Sequence, residues 1–235
     1  METQPVVSVL MITYNHERYI AQAIEGVLNQ QTQYSCELVI GEDCSTDRTR
    51  EIVLDYQRRY PHIIRVITSN ANVGMHQNFY RTAMACSGEY VAMCEGDDWW
   101  HDPAKLQTQV SYLRQYPDVC LLAADAYRAS DDGTIQSEVR DCKHRTAITY
   151  ASFDDLMLGR QVIFTPTAVF KRLELLEILT STPELTSFSY PMIDVQLWFE
   201  LSRRGKVVIM TARLATYRHS INSVSRPQEI GRAHV

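Results

Sequence analysis

The sequence predicts an α/β fold with a mostly parallel central sheet flanked by helices. Short β-rich apolar runs alternate with amphipathic segments through the first half of the chain. This alternation is typical of βαβ units, whose right-handed crossovers connect parallel strands covered on both faces. The 235 residues, 45% apolar and 22% charged, suit one large folded domain with a real core.

The first half contains four predicted strands and four predicted helices. Each strand is a short apolar run, and each helix carries apolar residues at helical spacing, such as Ile20, Ile24 and Val27. The hydroxyl and carboxylate groups of residues 45–47 are expected to cap the second helix, and Asp102-Pro103 is expected to begin the fourth. The predicted strands are residues 6–12, 36–40, 63–68 and 89–94, and the helices are residues 17–31, a segment ended by Pro61, a segment ending near Cys86, and a segment beginning at Asp102.

The second half is less regular. We predict a strand at residues 119–126, a turn at residues 130–133, order again from residue 153, a helix at residues 191–204 and a strand at residues 206–210. Residues 1–126 therefore form one α/β half, residues 127–226 elaborate the same domain, and residues 227–235 are expected to be a tail.

Charge and glycine spacing exclude several function classes. The net charge is −5 and no basic run exceeds two residues, so we expect no nucleic-acid partner. No two of the nine glycines lie within seven residues of each other. Neither a dinucleotide-binding G-x-G-x-x-G motif nor a P-loop can be written, because both need close glycines.

Cysteine usage and hydropathy predict a cytoplasmic protein. The six cysteines form no C-x-x-C pair, and the N-terminus lacks a basic segment followed by a long apolar one. No stretch reaches the 18 apolar residues of a spanning helix, so we expect at most peripheral association, at the inner face of the membrane.

An acidic motif follows the fourth predicted strand. Glu95-Gly96-Asp97-Asp98 places three carboxylates within four residues, between an apolar strand and Trp99-Trp100. Clustered carboxylates hold Mg²⁺ or Mn²⁺, and without a cation they would repel one another. The alternative is a solvated acidic turn.

Polar residues also follow the first and second strands. Thr13-Tyr14-Asn15 and Asp43 could contact a base or ribose. Taken alone, Asp43 is more typical of a capping turn, and Thr13-Tyr14-Asn15 indicates little. Because ligands gather at the carboxyl ends of parallel strands, these loops and the acidic motif are expected to converge at one sheet edge.

In order along the chain, these motifs resemble family 2 glycosyltransferases of the GT-A fold, a nucleotide-binding sandwich. The resemblance is dense over residues 6–119 and returns in two later segments. The matching segments are Val7 to Asn15, Leu38 to Asp47, Asn72-Val73-Gly74 with Asn78, Ser87 to Val91, Glu95 to Asp98, Asp102-Pro103 with Lys105-Leu106, Ile193 to Trp198, and Tyr217 to Ser220.

The resemblance implies an inverting, metal-dependent hexosyl- or related transferase. Its donor would be a UDP-, dTDP- or GDP-linked sugar, bound by the half at residues 1–126. Its acceptor would be a glycan or lipid-linked saccharide of cell-surface polysaccharide or glycan synthesis, bound by residues 127–226. The implied site comprises Asp194 as catalytic base, Thr13, Asn15, Glu17, Asp43, Glu95, Asp97 and Arg218 as nucleotide-sugar contacts, and Asp98, Asp97 and His219 as ligands of Mn²⁺ or Mg²⁺.

Some positions depart from the family pattern or allow two interpretations. Glu42 and Glu95 stand where Asp is commoner, and their longer side chains are expected still to reach a ribose. Gln77 stands where many members have an Arg, so one donor-binding cation is absent. Trp99 and Trp100 could stack on a sugar or pack in the core.

Two other functions stay open from the sequence. One is a catalytically silent nucleotide- or carbohydrate-binding relative, which predicts loss of the acidic ligands or the base, yet Asp97, Asp98 and Asp194 are present. The other is a sugar-phosphate nucleotidyltransferase, although the loop after the first strand lacks the Gly-rich signature of that class.

Overall fold

The structure, a computed structural model, describes residues 4–136, 148–185 and 192–219. Within these residues one nine-stranded sheet, flanked by helices, runs through the molecule. Its strand order is β3 (Ile64–Thr68), β2 (Cys36–Glu42), β1 (Val7–Thr13), β4 (Tyr90–Met93), β8 (Val169–Lys171), β5 (Val119–Ser130), β9 (Lys206–His219) and β7 (Ile148–Ala151), with β6 (Ile135–Gln136) paired to β5. The predicted α/β class is confirmed. The predicted tail at residues 227–235 lies outside the described residues.

The first half is an all-parallel unit, as the sequence predicts. β1 pairs with β2 and β4, and β2 pairs with β3, all in parallel register. Each strand is connected to the next through a helix. The elements are β1 (Val7–Thr13), α1 (Ile20–Leu28), β2 (Cys36–Glu42), α2 (Thr49–Arg59), β3 (Ile64–Thr68), α3 (Met75–Ala85), β4 (Tyr90–Met93) and α4 (Lys105–Gln115).

The second half is mixed rather than parallel. β8 lies antiparallel between β4 and β5, β5 pairs in parallel with β9, and β7 pairs antiparallel with β9. The elements are β5 (Val119–Ser130), β6 (Ile135–Gln136), β7 (Ile148–Ala151), α5 (Phe153–Met157), β8 (Val169–Lys171), α6 (Arg172–Ser181), α7 (Ile193–Arg204) and β9 (Lys206–His219).

Both faces of the sheet are covered by a hydrophobic core. Along β1, Val9 and Met11 pack into one cluster, while Leu10 and Ile12 pack into the other. Successive strand residues point to opposite faces, so an uninterrupted apolar strand requires helices on both sides. Residues of α1, α2 and α4 contribute to the first cluster, and residues of α3, α6 and α7 to the second.

Two elements differ from the sequence predictions. The predicted strand 206–210 continues to His219, because it pairs along the full length of β5 through a register shift near Asp125. Polar residues interrupt its alternation, which hides it in the sequence. Helix α6 was not predicted, although Leu175, Ile178 and Leu179 are buried at helical spacing.

Two further predictions concern cysteines and membrane spans. The cysteines that the structure describes are all free thiols, and Cys142 lies outside the described residues. Across the described parts of the chain, no helix combines the length and the apolar character needed to cross a bilayer.

Candidate active site

A cavity of about 950 Å³ opens at the carboxyl ends of β1, β2 and β4. The loops that follow these strands converge there, as expected for a parallel sheet. Segments of α7, β9 and the β5–β6 turn also contribute to its lining. Seven of the predicted site residues line it: Thr13, Asn15, Glu17, Asp43, Glu95, Asp97 and Asp194.

The acidic motif forms one side of the cavity. Glu95, Asp97 and Asp98 each offer an oxygen, and these oxygens lie within 4.8 Å of one another. The motif is held against β1, because the Cys94 N–H donates to Leu10 O and the Gly96 N–H donates to Ile12 O, each at 3.1 Å.

Asp98 is the most deeply buried of the three acids, at 1% exposure. Its Oδ1 accepts the Arg218 N–H at 2.7 Å, whereas its Oδ2 has no hydrogen-bond partner among the described residues. Burial, then the charges of Asp97 and Glu95, raise the pKa of Asp98 well above its usual value. Burial, then the charges of Asp97 and Asp194, do the same to the pKa of Glu95. A buried, unpartnered carboxylate oxygen within an acidic cluster is the environment a divalent cation satisfies.

Arg218 is placed differently from the phosphate contact that the resemblance implied. Arg218 is 4% exposed, and its guanidinium donates to the carbonyl oxygens of Asp97 and Asp131 at 2.8 and 2.9 Å and to Gln22 Oε1 at 2.8 Å. It also lies 4.5 Å from the ring centre of Tyr19 and 4.6 Å from that of Trp99. In this arrangement Arg218 holds the acidic motif from behind and does not line the cavity.

His219 ends β9 and is exposed. It is not part of the acidic group whose oxygens come together, so its predicted role as a metal ligand stays a prediction.

The two tryptophans after the acidic motif differ in burial. Trp100 is 3% exposed, and its indole N–H donates to Pro166 O at 2.7 Å. Trp99 is half-buried with the Arg218 guanidinium against its ring. The burial of Trp100 agrees with core packing, whereas the sugar-stacking interpretation of Trp99 stays a prediction.

Asp43 lines the cavity and also holds the turn before α3. Its two carboxylate oxygens accept the N–H groups of Val73 and Gly74, each at 2.9 Å. Gly74 has φ of 84°, a conformation that glycine adopts without strain. Arg81 also forms an ion pair with Asp43 Oδ1 at 3.7 Å, and the nucleobase role of Asp43 stays a prediction.

Asn15 and Glu17 connect the β1–α1 loop to the β2–α2 loop. Asn15 Oδ1 accepts the Thr46 N–H at 2.8 Å, and Glu17 Oε2 accepts the Arg48 N–H at 2.9 Å. Ser45 Oγ accepts the Asn15 N–H rather than capping α2. Their positions on the lining agree with nucleotide contacts, which stay predictions.

The second strand ends in a buried ion pair. Glu42 is fully buried, accepts from Arg50 Nε at 2.5 Å and accepts the Ser45 N–H at 2.6 Å. It does not line the cavity, so the expectation that its longer side chain reaches a ribose is wrong here.

Asp194 lies in the first turn of α7, on another side of the cavity. Its Oδ2 accepts the Thr165 hydroxyl at 2.8 Å, and its Oδ1 accepts the Val195 N–H at 2.9 Å. Asp194 and Glu95 line the same cavity, and the charge of Asp194 contributes, after burial and Asp97, to the raised pKa of Glu95. A carboxylate held by two neutral donors is suited to accept a proton.

The lining also includes polar residues that were not among the predicted contacts, such as His16, Tyr19, Asp131 and Thr165. His16 and Tyr19 belong to the β1–α1 loop, which also carries predicted contacts. Their closeness in sequence to those contacts could have identified them. Asp131 and Thr165 come close only through the second half of the sheet, which no local pattern reveals.

Fold and site together define a GT-A type α/β enzyme with an acidic centre at the strand ends. The family model described as "Glycosyl transferase family 2" matches residues 8–172. The chain therefore belongs to glycosyl transferase family 2, which confirms the predicted enzyme class.

Relatives in sequence agree with this assignment. An uncharacterized protein of Mycobacterium tuberculosis is 33% identical over 92% of this chain and 60% of its own length. A putative teichuronic acid biosynthesis glycosyltransferase of Bacillus subtilis is 28% identical over 94% of this chain and 82% of its own length. The chain thus spans about 60% of the mycobacterial relative.

Solved structures share the fold. Staphylococcus aureus TarS 1–349 in complex with UDP has a TM-score of 0.67 at 18% identity, covering 91% of this chain and 60% of that one. The mannosyltransferase PcManGT of Pyrobaculum calidifontis, in complex with GDP-Man and Mn²⁺, has a TM-score of 0.68 at 20% identity, covering 92% of this chain and 57% of that one.

Proposed function

We propose that this chain transfers a sugar from a nucleoside diphosphate sugar to an acceptor hydroxyl, with inversion and with the help of a divalent cation. One observation carries the proposal: a single partnered aspartate, Asp194, shares a cavity with a crowded three-carboxylate cluster. In this arrangement the three-carboxylate cluster would bind the cation, and Asp194 would accept the proton of the acceptor hydroxyl.

The acidic cluster fits a divalent cation. Asp97, Asp98 and Glu95 would hold it through oxygen ligands, which suit Mn²⁺ and Mg²⁺ alike. When bound, the cation neutralises charge on the departing nucleoside diphosphate. The Mn²⁺ in the complex of the Pyrobaculum mannosyltransferase supports this assignment.

Asp194 would accept the proton of the attacking hydroxyl. Thr165 and the backbone N–H of Val195 fix the orientation of its carboxylate. If the hydroxyl attacks opposite the leaving diphosphate in a single displacement, the configuration at the anomeric carbon inverts.

The nucleotide would occupy the side of the cavity formed by Thr13, Asn15, Glu17 and Asp43, within residues 1–126. UDP in the TarS complex and GDP-Man in the mannosyltransferase complex support a nucleoside diphosphate sugar as the donor, whether UDP-, dTDP- or GDP-linked. Residues 127–226 would bind a glycan or lipid-linked saccharide, and the teichuronic acid relative supports a role in polysaccharide synthesis.

The proposal is tested with a panel of UDP-, GDP- and dTDP-linked sugars, offered with Mn²⁺ and a set of saccharide acceptors. We expect metal-dependent release of the nucleoside diphosphate from one donor, and a product of inverted anomeric configuration by NMR. Asp55→Asn, at an exposed aspartate of α2, should behave as the native protein.

Three results would contradict the proposal. A product of retained anomeric configuration would contradict a single displacement. Donor binding without release by any acceptor would favour the catalytically silent relative. Conversion of the donor by pyrophosphate would favour the nucleotidyltransferase.

A further inference from the structure

One aspartate side chain joins the turn between β5 and β6 to the loop between β1 and α1. Asp131 Oδ1 accepts the Tyr19 hydroxyl at 2.5 Å, and Asp131 Oδ2 accepts from Arg18 Nη1 at 2.8 Å. Arg18 and Tyr19 lie 113 and 112 positions before Asp131 in the chain, and all three residues line the cavity. We call this three-residue contact the clasp.

The clasp lies at the far end of an extension of the sheet. Beyond the register shift near Asp125, β5 and β9 continue side by side as far as Ser130 and His219. On this extension, Thr216 exchanges two backbone hydrogen bonds, of 3.2 and 2.8 Å, with Trp99, the residue that follows the acidic motif. The extension is therefore attached to the end of the acidic motif at one point and to the β1–α1 loop at another.

Arg218 connects the clasp to the acidic motif. Its guanidinium donates to Asp131 O and lies 4.5 Å from the ring centre of Tyr19, a distance at which a cation and an aromatic ring attract. The same guanidinium donates to Asp97 O, and the backbone N–H of Arg218 donates to Asp98 Oδ1. One buried residue thus contacts both the clasp and two of the acids proposed to hold the cation.

The two arms of the clasp differ in strength. The side chains of Arg18 and Asp131 are 62% and 33% exposed, and an exposed ion pair contributes little because water screens it. Tyr19 is half-buried, and its hydroxyl, followed by the Arg18 guanidinium, lowers the pKa of Asp131, so that Asp131 is ionised at neutral pH. Because a hydrogen bond to an ionised acceptor is stronger than one between neutral groups, we expect the Tyr19 arm to contribute more.

We infer that Asp131 is a positioning residue, which holds Arg218 in place through Tyr19 and so sets the affinity of the acidic cluster for a divalent cation. This inference rests on the proposed function, because it concerns the cation that the cluster would hold. It gives a role in metal binding to an aspartate of the second half of the chain, which acts through its neighbours rather than as a ligand.

The test is calorimetric titration of the native protein and its variants with Mn²⁺ alone. Asp131→Ala should lower the Mn²⁺ affinity by about 10-fold, because Tyr19 loses its acceptor and Arg218 is held less firmly. Tyr19→Phe should cause a similar loss, since the ring remains but the hydrogen bond to Asp131 is gone. The double variant should also lose about 10-fold, because both changes break the same contact.

Three further variants separate positioning from charge. Asp131→Asn keeps an oxygen that can accept the Tyr19 hydroxyl, so its Mn²⁺ affinity should stay within about threefold of the native value. Arg18→Met removes only the exposed arm and should also stay within about threefold. Asp132→Asn is the matched control, because its carboxylate accepts two hydrogen bonds within the same turn that an amide oxygen keeps, and it should leave Mn²⁺ affinity unchanged.

The inference is overturned if Asp131→Ala keeps the native Mn²⁺ affinity, or if its only effect is a lower free energy of unfolding in chemical denaturation. It is also overturned if Asp131→Asn loses as much affinity as Asp131→Ala, which would indicate a carboxylate acting directly on the cation. Losses of the two single variants that multiply in the double variant would show that Asp131 and Tyr19 act independently, which contradicts it as well. Failure of the native protein to bind Mn²⁺ would contradict the proposed function itself, which is a different result.

Discussion

The carboxylates on the two sides of the cavity differ in how the protein satisfies them. Asp194 has a hydroxyl on one oxygen and a backbone N–H on the other. In the acidic cluster, burial and mutual repulsion raise the pKa values of Glu95 and Asp98, and Asp98 Oδ2 has no partner among the described residues. The difference teaches that one side has its hydrogen bonds satisfied by the protein itself, whereas the other has the unpartnered oxygen and crowded carboxylates that the proposed cation would satisfy.

Among variants that distinguish Asp194 from the acidic cluster, Asp194→Asn is expected to have the largest effect on turnover. The amide keeps the size of the side chain but cannot accept a proton, so turnover should fall by about 1,000-fold or more. Metal-dependent donor affinity should stay within about twofold, because the acidic cluster is untouched. Steady-state kinetics and calorimetry measure the two quantities, and near-native turnover would show that the base lies elsewhere.

The next effect is expected from Asp98→Asn, on the other side. Removing a charged ligand should lower the apparent Mn²⁺ affinity by about 100-fold. Without metal, the free energy of unfolding should rise by about 1 kcal/mol, because like-charge repulsion is relieved.

Asp102→Asn is the matched control for Asp98→Asn. Asp102 lies at the turn before α4, outside the acidic group, so its variant should leave Mn²⁺ affinity unchanged. Titration with Mn²⁺ and chemical denaturation read out both variants. Unchanged metal affinity in Asp98→Asn would mean that Glu95 and Asp97 suffice.

Arg218→Met tests whether the hydrogen bonds of the Arg218 guanidinium hold the acidic cluster in the geometry that binds a cation. Losing the guanidinium contacts to Asp97 O, Asp131 O and Gln22 should lower Mn²⁺ affinity by about 10-fold. Arg213→Met is a matched control, because Arg213 lies on the same strand and stacks 5.1 Å from the Tyr127 ring centre. Both variants should lose stability, but only Arg218→Met should lose metal affinity. Equal Mn²⁺ affinities would show that Arg218 only stabilises the fold.

The pH dependence of stability is the smallest expected effect. Glu95 and Asp98 have a raised pKa in the folded state, so the folded metal-free protein binds more protons than the unfolded chain. Its stability should therefore fall as the pH rises from about 4 toward neutrality, and Mn²⁺ should restore it. Denaturation at several pH values with and without Mn²⁺ measures this, and identical curves would contradict a cation site.

A buried lysine, Lys105, is expected to make the free energy of unfolding rise with pH above pH 7. Burial lowers the pKa of Lys105 to about 7, and its ammonium lies 4.1 Å from the Trp100 ring centre. Between pH 7 and the unfolded-state value of 10.5, the unfolded chain binds more protons, so stability should rise with pH. Lys105→Met should flatten this rise by about 1 kcal/mol per pH unit, whereas Lys171→Met should not. Denaturation from pH 7 to 10 distinguishes the two, and a rise that persists in Lys105→Met would assign it to another group.

The parallel half of the fold was predictable because its constraints are local. β1, β2 and β4 are buried on both faces, so each is a continuous apolar run, and each is followed by an amphipathic helix. The antiparallel insertion of β8 was not predictable, because Tyr90 pairs with Lys171 across a long sequence separation.

The site, like the fold, contains residues that the sequence could identify and residues that it could not. The residues after β1, β2 and β4 were identifiable because parallel strands end at one edge. The approach of Asp194 to Glu95 depends on the packing of the second half, so only the family resemblance indicated it. The burial of Arg218 and Trp100 is a tertiary property that neither residue type nor spacing reveals.

The measurement that tests the central claim most directly is calorimetric binding of UDP, GDP, dTDP and CMP, each with and without Mn²⁺. We predict that one nucleoside diphosphate binds tightly only when the metal is present, and that Asp98→Asn raises the Mn²⁺ concentration needed for this binding by about 100-fold. Binding that is equally tight without Mn²⁺, or no binding of any of the four nucleotides, would contradict the assignment of the acidic cluster as a metal-dependent donor site.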